Sequence, residues 1–120
     1  MEPTQLKDLY RPHVERGAAL LDERRPRWWE RIDIGRLDIR SPENCILGQV
    51  FEEEERAEGP RRGSTPYDYG CEVLNLKCME AIEHGFFTIL RHHRDKEHWD
   101  TLRGLWIEAI EERHKEGSGQ

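Results

Sequence analysis

Apolar positions recur along this chain at helical spacing. Val14, Ala18 and Leu21 fall at i, i+4 and i+7, which predicts a first helix over about 14–22. Pro12 suits the first turn of that helix, with Leu6, Leu9 and Tyr10 in a separate short turn ahead of it. Pro26 ends this helix or begins the next, over 27–31, which carries Trp28 and Trp29. Neighbouring helical positions point about 100° apart, so one indole goes to the core and the other is at least partly exposed. The stretch from Ile32 to Ile39, interrupted by Gly35, reads as a loop or a short extended piece. Ser41 as N-cap, Pro42 at the first helical position and Glu43 and Asn44 in the first turn then predict a second helix start. Cys45, Ile46, Leu47, Val50 and Phe51 supply its apolar positions. The run Glu52–Glu55 sits badly at a helix C-terminus. The helix either continues to Arg56 or beyond, pairing Glu52 with Arg56, or frays there.

From Gly59 to Gly70 the chemistry is that of a loop, holding Pro60, Gly63 and Pro66, with Tyr67 and Tyr69 anchoring it to the body. A third helix is expected over about 71–84, with Leu74, Cys78 and Ala81 or Ile82 on one face. It should stop at Gly85, with Phe86 in the contact that follows a helix-ending glycine. Phe87, Ile89 and Leu90 form a short apolar stretch of undefined state. The last helix, about 95–115, carries Trp99, Leu102, Trp106, Ala109 and Ile110 on one stripe, with Asp95 as a cap. The fold expected is all-α: a compact bundle of four to five helices with one long Gly/Pro-containing loop. One helical domain is expected over 1–116, with 117–120 a flexible tail.

Composition narrows the functional classes. Within 120 residues, four Trp, three Tyr and three Phe argue against a disordered chain despite 37% charged residues. The 19 Lys and Arg stand against 25 Asp and Glu, a net charge of −6, which excludes a generally basic nucleic-acid coat but not a local patch. No stretch approaches the roughly 20 apolar residues of a membrane span, and the N-terminus carries no secretory apolar segment. With the odd count of three cysteines, this leads us to expect a cytoplasmic protein with free thiols.

Cys71 and Cys78 on one continuous helix would stand about 10.5 Å apart along its axis, too far for a disulfide or one zinc ion. All three cysteines are therefore expected to pack as small hydrophobes and to label slowly until unfolding, in preference to a zinc site using Cys45 and a histidine. His92, His93, Asp95, Glu97 and His98 look ligand-rich, and Glu111-x-x-His114 has di-metal carboxylate spacing. Such sites need motifs on different helices, so a solvated face is expected, with no metal and no cofactor. Asp33 and Asp38 can converge, but no acid, base and nucleophile set accompanies them. Arg24, Arg25, Arg27, Trp28, Trp29 and Arg31 form the densest basic-aromatic cluster. One reading is a helix end whose arginines pair with Glu23 and Glu30. A second is a protein-binding surface, since Trp and Arg are enriched at interface hot spots.

The run from Gly17 through Leu-Asp-Glu-Arg, Trp28-Trp29 and Ile32-Asp33, with Leu37-Asp38-Ile39, Ser41 and Cys45-Ile-Leu-Gly-Gln49, resembles a family of small proteins. These are encoded by actinobacteriophages and by prophages of actinobacteria. The resemblance covers about residues 17–49, and the Glu83-His-Gly-Phe86 turn and the Trp99, Leu102, Trp106 helix are similar more loosely. It implies a phage-derived protein working in a bacterial cytoplasm, and it brings no catalytic residue. Within the motif, Leu20, Leu21, one of the paired tryptophans, Ile32, Leu37, Cys45 and Leu47 read as core. Gly48 permits close helix approach and Gln49 satisfies a buried backbone group.

The function expected is non-catalytic binding of a host or phage protein, for host modulation or counter-defence, through Arg24, Arg25, Arg27, Trp28 and Trp29. The alternatives are a nucleic-acid-binding regulator using the Arg24–Arg31 patch and a metal-dependent enzyme. Nucleic acid is disfavoured as a partner, a membrane is not expected, and self-association stays open.

Overall fold

The fold is that of a computed structural model, which describes residues 3–59, 64–88 and 95–118. Five helices follow one another: α1 (Pro3–Arg24), α2 (Ile46–Glu58), α3 (Pro66–Val73), α4 (Cys78–Glu83) and α5 (Asp95–Ser118). Two 3₁₀ turns, Trp28–Arg31 and Ile34–Arg36, lie between α1 and α2. The described residues contain no strand, so the protein is all-α. The long helices α1 and α5 pack side by side, α2 packs on α3, α4 closes against α1, and the first 3₁₀ turn touches both α2 and α5.

Helix α1 begins eleven residues before the expected start, and Pro12 lies inside it. Interior proline costs a backbone hydrogen bond. Here the ring sits on the exposed face. Leu6, Tyr10, Val14, Ala18 and Leu21 form one buried stripe running past it, and that packing holds the helix continuous. Gly17 lies in the same stripe. A Cβ there would overlap the carbonyl oxygen of His84, so glycine is required where α1 meets the end of α4.

Ser41-Pro42 does not start α2. The Ser41 hydroxyl accepts from Asn44 N at 3.1 Å and closes an isolated turn. The N-cap is Cys45, whose thiol accepts from Gly48 N at 3.3 Å. The turn over 42–44 folds back onto Gly48, where a Cβ would overlap the Pro42 carbonyl oxygen. Gly48 thus permits a close approach, but by this turn and not by a second helix as expected. Helix α2 runs on to Glu58, and Arg56 pairs with Glu52 at 3.3 Å.

The region read as a loop contains α3. Thr65 and Asp68 form a reciprocal capping box, with Pro66 in the first turn. The expected third helix over 71–84 is two helices. After Val73 the chain turns through Asn75 at φ 57, with Leu76 N donating to Cys71 O and Asn75 N to Glu72 O. Gly85 at φ 73 stops α4 in the same way, with Phe86 N donating to Ala81 O and Gly85 N to Ile82 O. Phe86 is buried, as its place after the glycine suggested. Helix α5 continues two residues into the expected tail. Ile89, Leu90, His92, His93 and the Asp95 side chain lie outside the described residues.

The core is one cluster joining α1, α2, α3, α5 and the segment between α1 and α2. At its centre Trp106 meets Trp28 edge-on at 5.7 Å, stacks on Phe86 at 5.4 Å and donates from Nε1 to Gly85 O at 2.8 Å. Trp99 is only half-buried, against the expectation of a fully buried position, because it lies toward the N-terminal end of α5 beside Phe87. Leu105 fills the stripe instead.

Candidate functional site

The segment that turns out of α1 divides the basic-aromatic cluster into an inner and an outer set. Trp28 is fully buried, so it leaves the expected contact surface. Its Nε1 donates to Asp22 Oδ1 at 2.8 Å, and Arg113 grips both oxygens of the same carboxylate at 2.9 and 2.7 Å. The Arg113 guanidinium also lies over the Trp28 ring, 5.7 Å from its centroid. The hydrogen bond from Arg113 is the main force holding the Asp22 carboxyl below its ordinary range, with Trp28 adding to it against the opposing effect of burial.

Arg25 is also inner. It makes a two-pronged bond to Glu54 at 2.9 and 2.8 Å and lies over the Phe51 ring. That bond keeps the Glu54 carboxyl below its usual range, and Arg31 approaches the same carboxylate at 3.5 Å while donating to Val50 O. Arg24 donates to Val73 O at 3.1 Å from an exposed position. Sequence reading paired the arginines with Glu23 and Glu30. Glu30 does hold Arg27, but Glu54 is the main partner of Arg25 and Arg31. No local spacing signals a pair twenty-nine positions apart.

The outer set is Arg24, Arg27 and Trp29. Trp29 is half-buried and meets the His114 ring edge-on at 4.7 Å. Arg27 lies over the Trp29 ring, 5.8 Å from its centroid, and pairs with Glu30. Arg27 itself adopts φ 64, a left-handed conformation that costs a non-glycine residue about 1–2 kcal/mol. The Arg24–Arg31 cluster therefore presents one indole edge flanked by a cation and an imidazole.

The remaining candidates have structural partners. Gln49 is buried; its Oε1 accepts from Asp33 N at 2.7 Å, and its Nε2 donates to Asn44 O at 2.9 Å and Asp33 O at 3.3 Å. It binds backbone groups as expected, although the residues that carry them, Asp33 and Asn44, are exposed and half-buried. Asp33 and Asp38 cap separate turns, accepting from Gly35 N at 2.9 Å and Arg40 N at 3.0 Å. His98 Nδ1 meets the Tyr10 hydroxyl at 2.6 Å. Burial pushes the Cys45 thiol up to about 12, and also raises Cys71. Cys78 is exposed, which corrects its expected burial: α4 starts there instead of continuing the packed face of α3. Among the described residues no three of His, Cys, Asp and Glu come together to hold a metal ion, and no helix is long and apolar enough to cross a membrane.

The fold and the patch together define a small all-α helical protein. Comparison with family models, curated proteins and solved structures gives no match.

Proposed function

We propose that this chain is a non-catalytic binding module that captures a host or phage protein in the cytoplasm of an actinobacterial host, in host modulation or counter-defence. The observation that carries this reading is the half-buried Trp29 held between Arg27 and His114. A rigid indole with an adjacent guanidinium is the side-chain chemistry of interface hot spots. Arg27 keeps its left-handed backbone although glycine would adopt it without strain, which points to a role for its side chain. Arg24, three residues before Arg27, is exposed as well. A phosphate-tracking surface is the weaker reading, because Glu54 faces Arg25 and Arg31 and Glu30 faces Arg27.

A photo-crosslinking amino acid placed at position 24 should trap one defined host or phage polypeptide in infected-cell lysate. Trapping should fall at least tenfold in Trp29→Ala and in Arg27→Gly, the latter relieving backbone strain and so keeping the fold. Lys7→Ala, on α1 away from the patch, should leave it unchanged. Equal trapping by the patch variants would remove the patch from the interface. Binding to duplex DNA that weakens with salt would transfer the reading to nucleic acid.

A further inference from the structure

A second region, fifteen residues and so about 22 Å further toward the N-terminus of α5 than the Trp29–His114 contact, combines a cleft, an indole and uncompensated cations. The cleft has a volume of about 420 Å³ and lies between the segment 35–40 and the first turns of α5. Leu37 and Ile39, both buried, contribute to its floor, and half-buried Trp99 lines it, braced by Phe87 at 5.6 Å. Arg36, Arg40, Lys96 and Arg103 line it against two carboxylates, Asp38 and Asp100. Lys96 and Asp100 cancel each other at 2.6 Å. Arg36 is drawn to Asn44 and, at 3.8 Å, to Glu52. Arg103 donates from Nε to Leu37 O at 2.8 Å and from Nη2 to Ile34 O at 2.9 Å, so backbone dipoles hold its guanidinium in place. Among the described residues no carboxylate pairs with Arg103 or with the side chain of Arg40. In a chain of net charge −6, this is a local excess of positive charge beside an aromatic ring.

We propose that this cleft binds a mononucleotide, with the base against Trp99 and the phosphate taken by Arg40 and the fixed Arg103. Guanidinium forks match phosphate oxygens, and an indole face stacks on any base. Arg103, already oriented by two carbonyls, loses little freedom when it meets an anion. The pairing of one aromatic surface with one cationic end selects a ligand carrying both a planar ring and a phosphate, over inorganic phosphate or a nucleoside alone.

Calorimetric titration of the full chain with adenosine monophosphate should saturate at one site per chain. Adenosine and inorganic phosphate should each bind at least tenfold more weakly. Tryptophan fluorescence should quench on binding, and the quench should disappear in Trp99→Phe while persisting in Trp29→Phe. Arg40→Gln, at an exposed position that the core does not use, should weaken binding at least tenfold with an unchanged circular dichroism spectrum. Absence of saturable binding, equal binding of phosphate alone, or an Arg40→Gln variant with undiminished affinity would each overturn the proposal. So would binding confined to single-stranded oligonucleotides, which would assign the cleft to a nucleic acid.

Discussion

Gln49 spans two loops with one amide. It accepts from Asp33 N and donates to the carbonyls of Asn44 and Asp33, so the chain before and after the 34–36 turn is fixed to the first turn of α2. Gln49→Leu removes all three bonds; Asp33 O keeps its bond from Arg36 N and Asn44 O keeps its bond from Asp38 N, so Asp33 N is the group left without its partner. Such an unpaired donor costs about 1–3 kcal/mol, so urea denaturation should show a loss within that range. A smaller loss would mean that the loops are held without the amide. The tryptophans separate at the same scale. Trp106→Ala removes the ring at the centre of the core and should cost about 3–5 kcal/mol. Trp99→Ala should cost clearly less, since that ring is half-buried at the end of the stripe. Helical spacing alone makes the two positions equivalent. Their difference comes from tertiary surroundings, an open cleft beside Trp99 and the rings of Trp28 and Phe86 around Trp106, which no spacing encodes.

Among the elements, the stop signals of lasting value were the glycine and asparagine positions with positive φ. Gly85 followed by Phe86 was readable because glycine is the usual residue at that place, and the break came where expected. Asn75 performs the same operation between α3 and α4, but asparagine also occurs in many other settings, so one long helix was the natural reading of 71–84. Pro12 misled in the opposite direction: a local penalty was outweighed by a stripe of five buried side chains on either side of it. In the CILGQ motif the close approach at Gly48 and the backbone contacts of Gln49 are legible, because glycine and glutamine have few other uses at buried sites, whereas the partner of Gly48, a turn and not a helix, is not. The partners of the arginines are not, since Glu54 reaches Arg25 only through the packing of α2 against the first 3₁₀ turn. The α3–α4 break has a direct chemical consequence. It leaves Cys78 exposed at the start of α4, Cys71 half-buried on α3 and Cys45 enclosed at the start of α2, with its thiol pushed up to about 12. A thiol reagent at pH 8 should therefore label Cys78 first, Cys71 more slowly and Cys45 only on unfolding. One common slow rate for all three, as a continuous helix would give, would contradict the break.

At the scale of the whole molecule, two carboxylates join parts of the chain that sequence separates. Asp22, near the end of α1, binds Arg113 on α5 and the Trp28 indole between them; Glu54 on α2 binds Arg25 and Arg31 in the segment that leaves α1. Both carboxyls are held below their ordinary values, first by the hydrogen bonds from Arg113 and Arg25 respectively. A carboxyl whose folded-state value is depressed releases its proton more readily in the folded chain than in the unfolded one. Its contribution to stability is therefore fully present above the ordinary carboxylate range and disappears as pH falls through the depressed folded-state value. Stability should thus stay nearly level from neutral pH down to about 5 and then decline steeply. Both side chains are partly exposed, so solvent screening keeps each contribution modest, on the order of 1 kcal/mol for the Glu54 pair. The double variant Asp22→Asn, Glu54→Gln keeps the shape of both side chains, removes both charges and leaves each with one acceptor oxygen, the amide NH2 standing where the second oxygen accepted from arginine. It should be less stable than the parent at pH 7, and the two should converge as pH falls through the depressed folded-state values, because protonation then removes the same interactions from the parent. Denaturation midpoints measured across pH 3–7 would decide the matter: an acid limb equally steep in both proteins would show that other carboxylates, and not this pair of cross-links, set the acid sensitivity of the bundle.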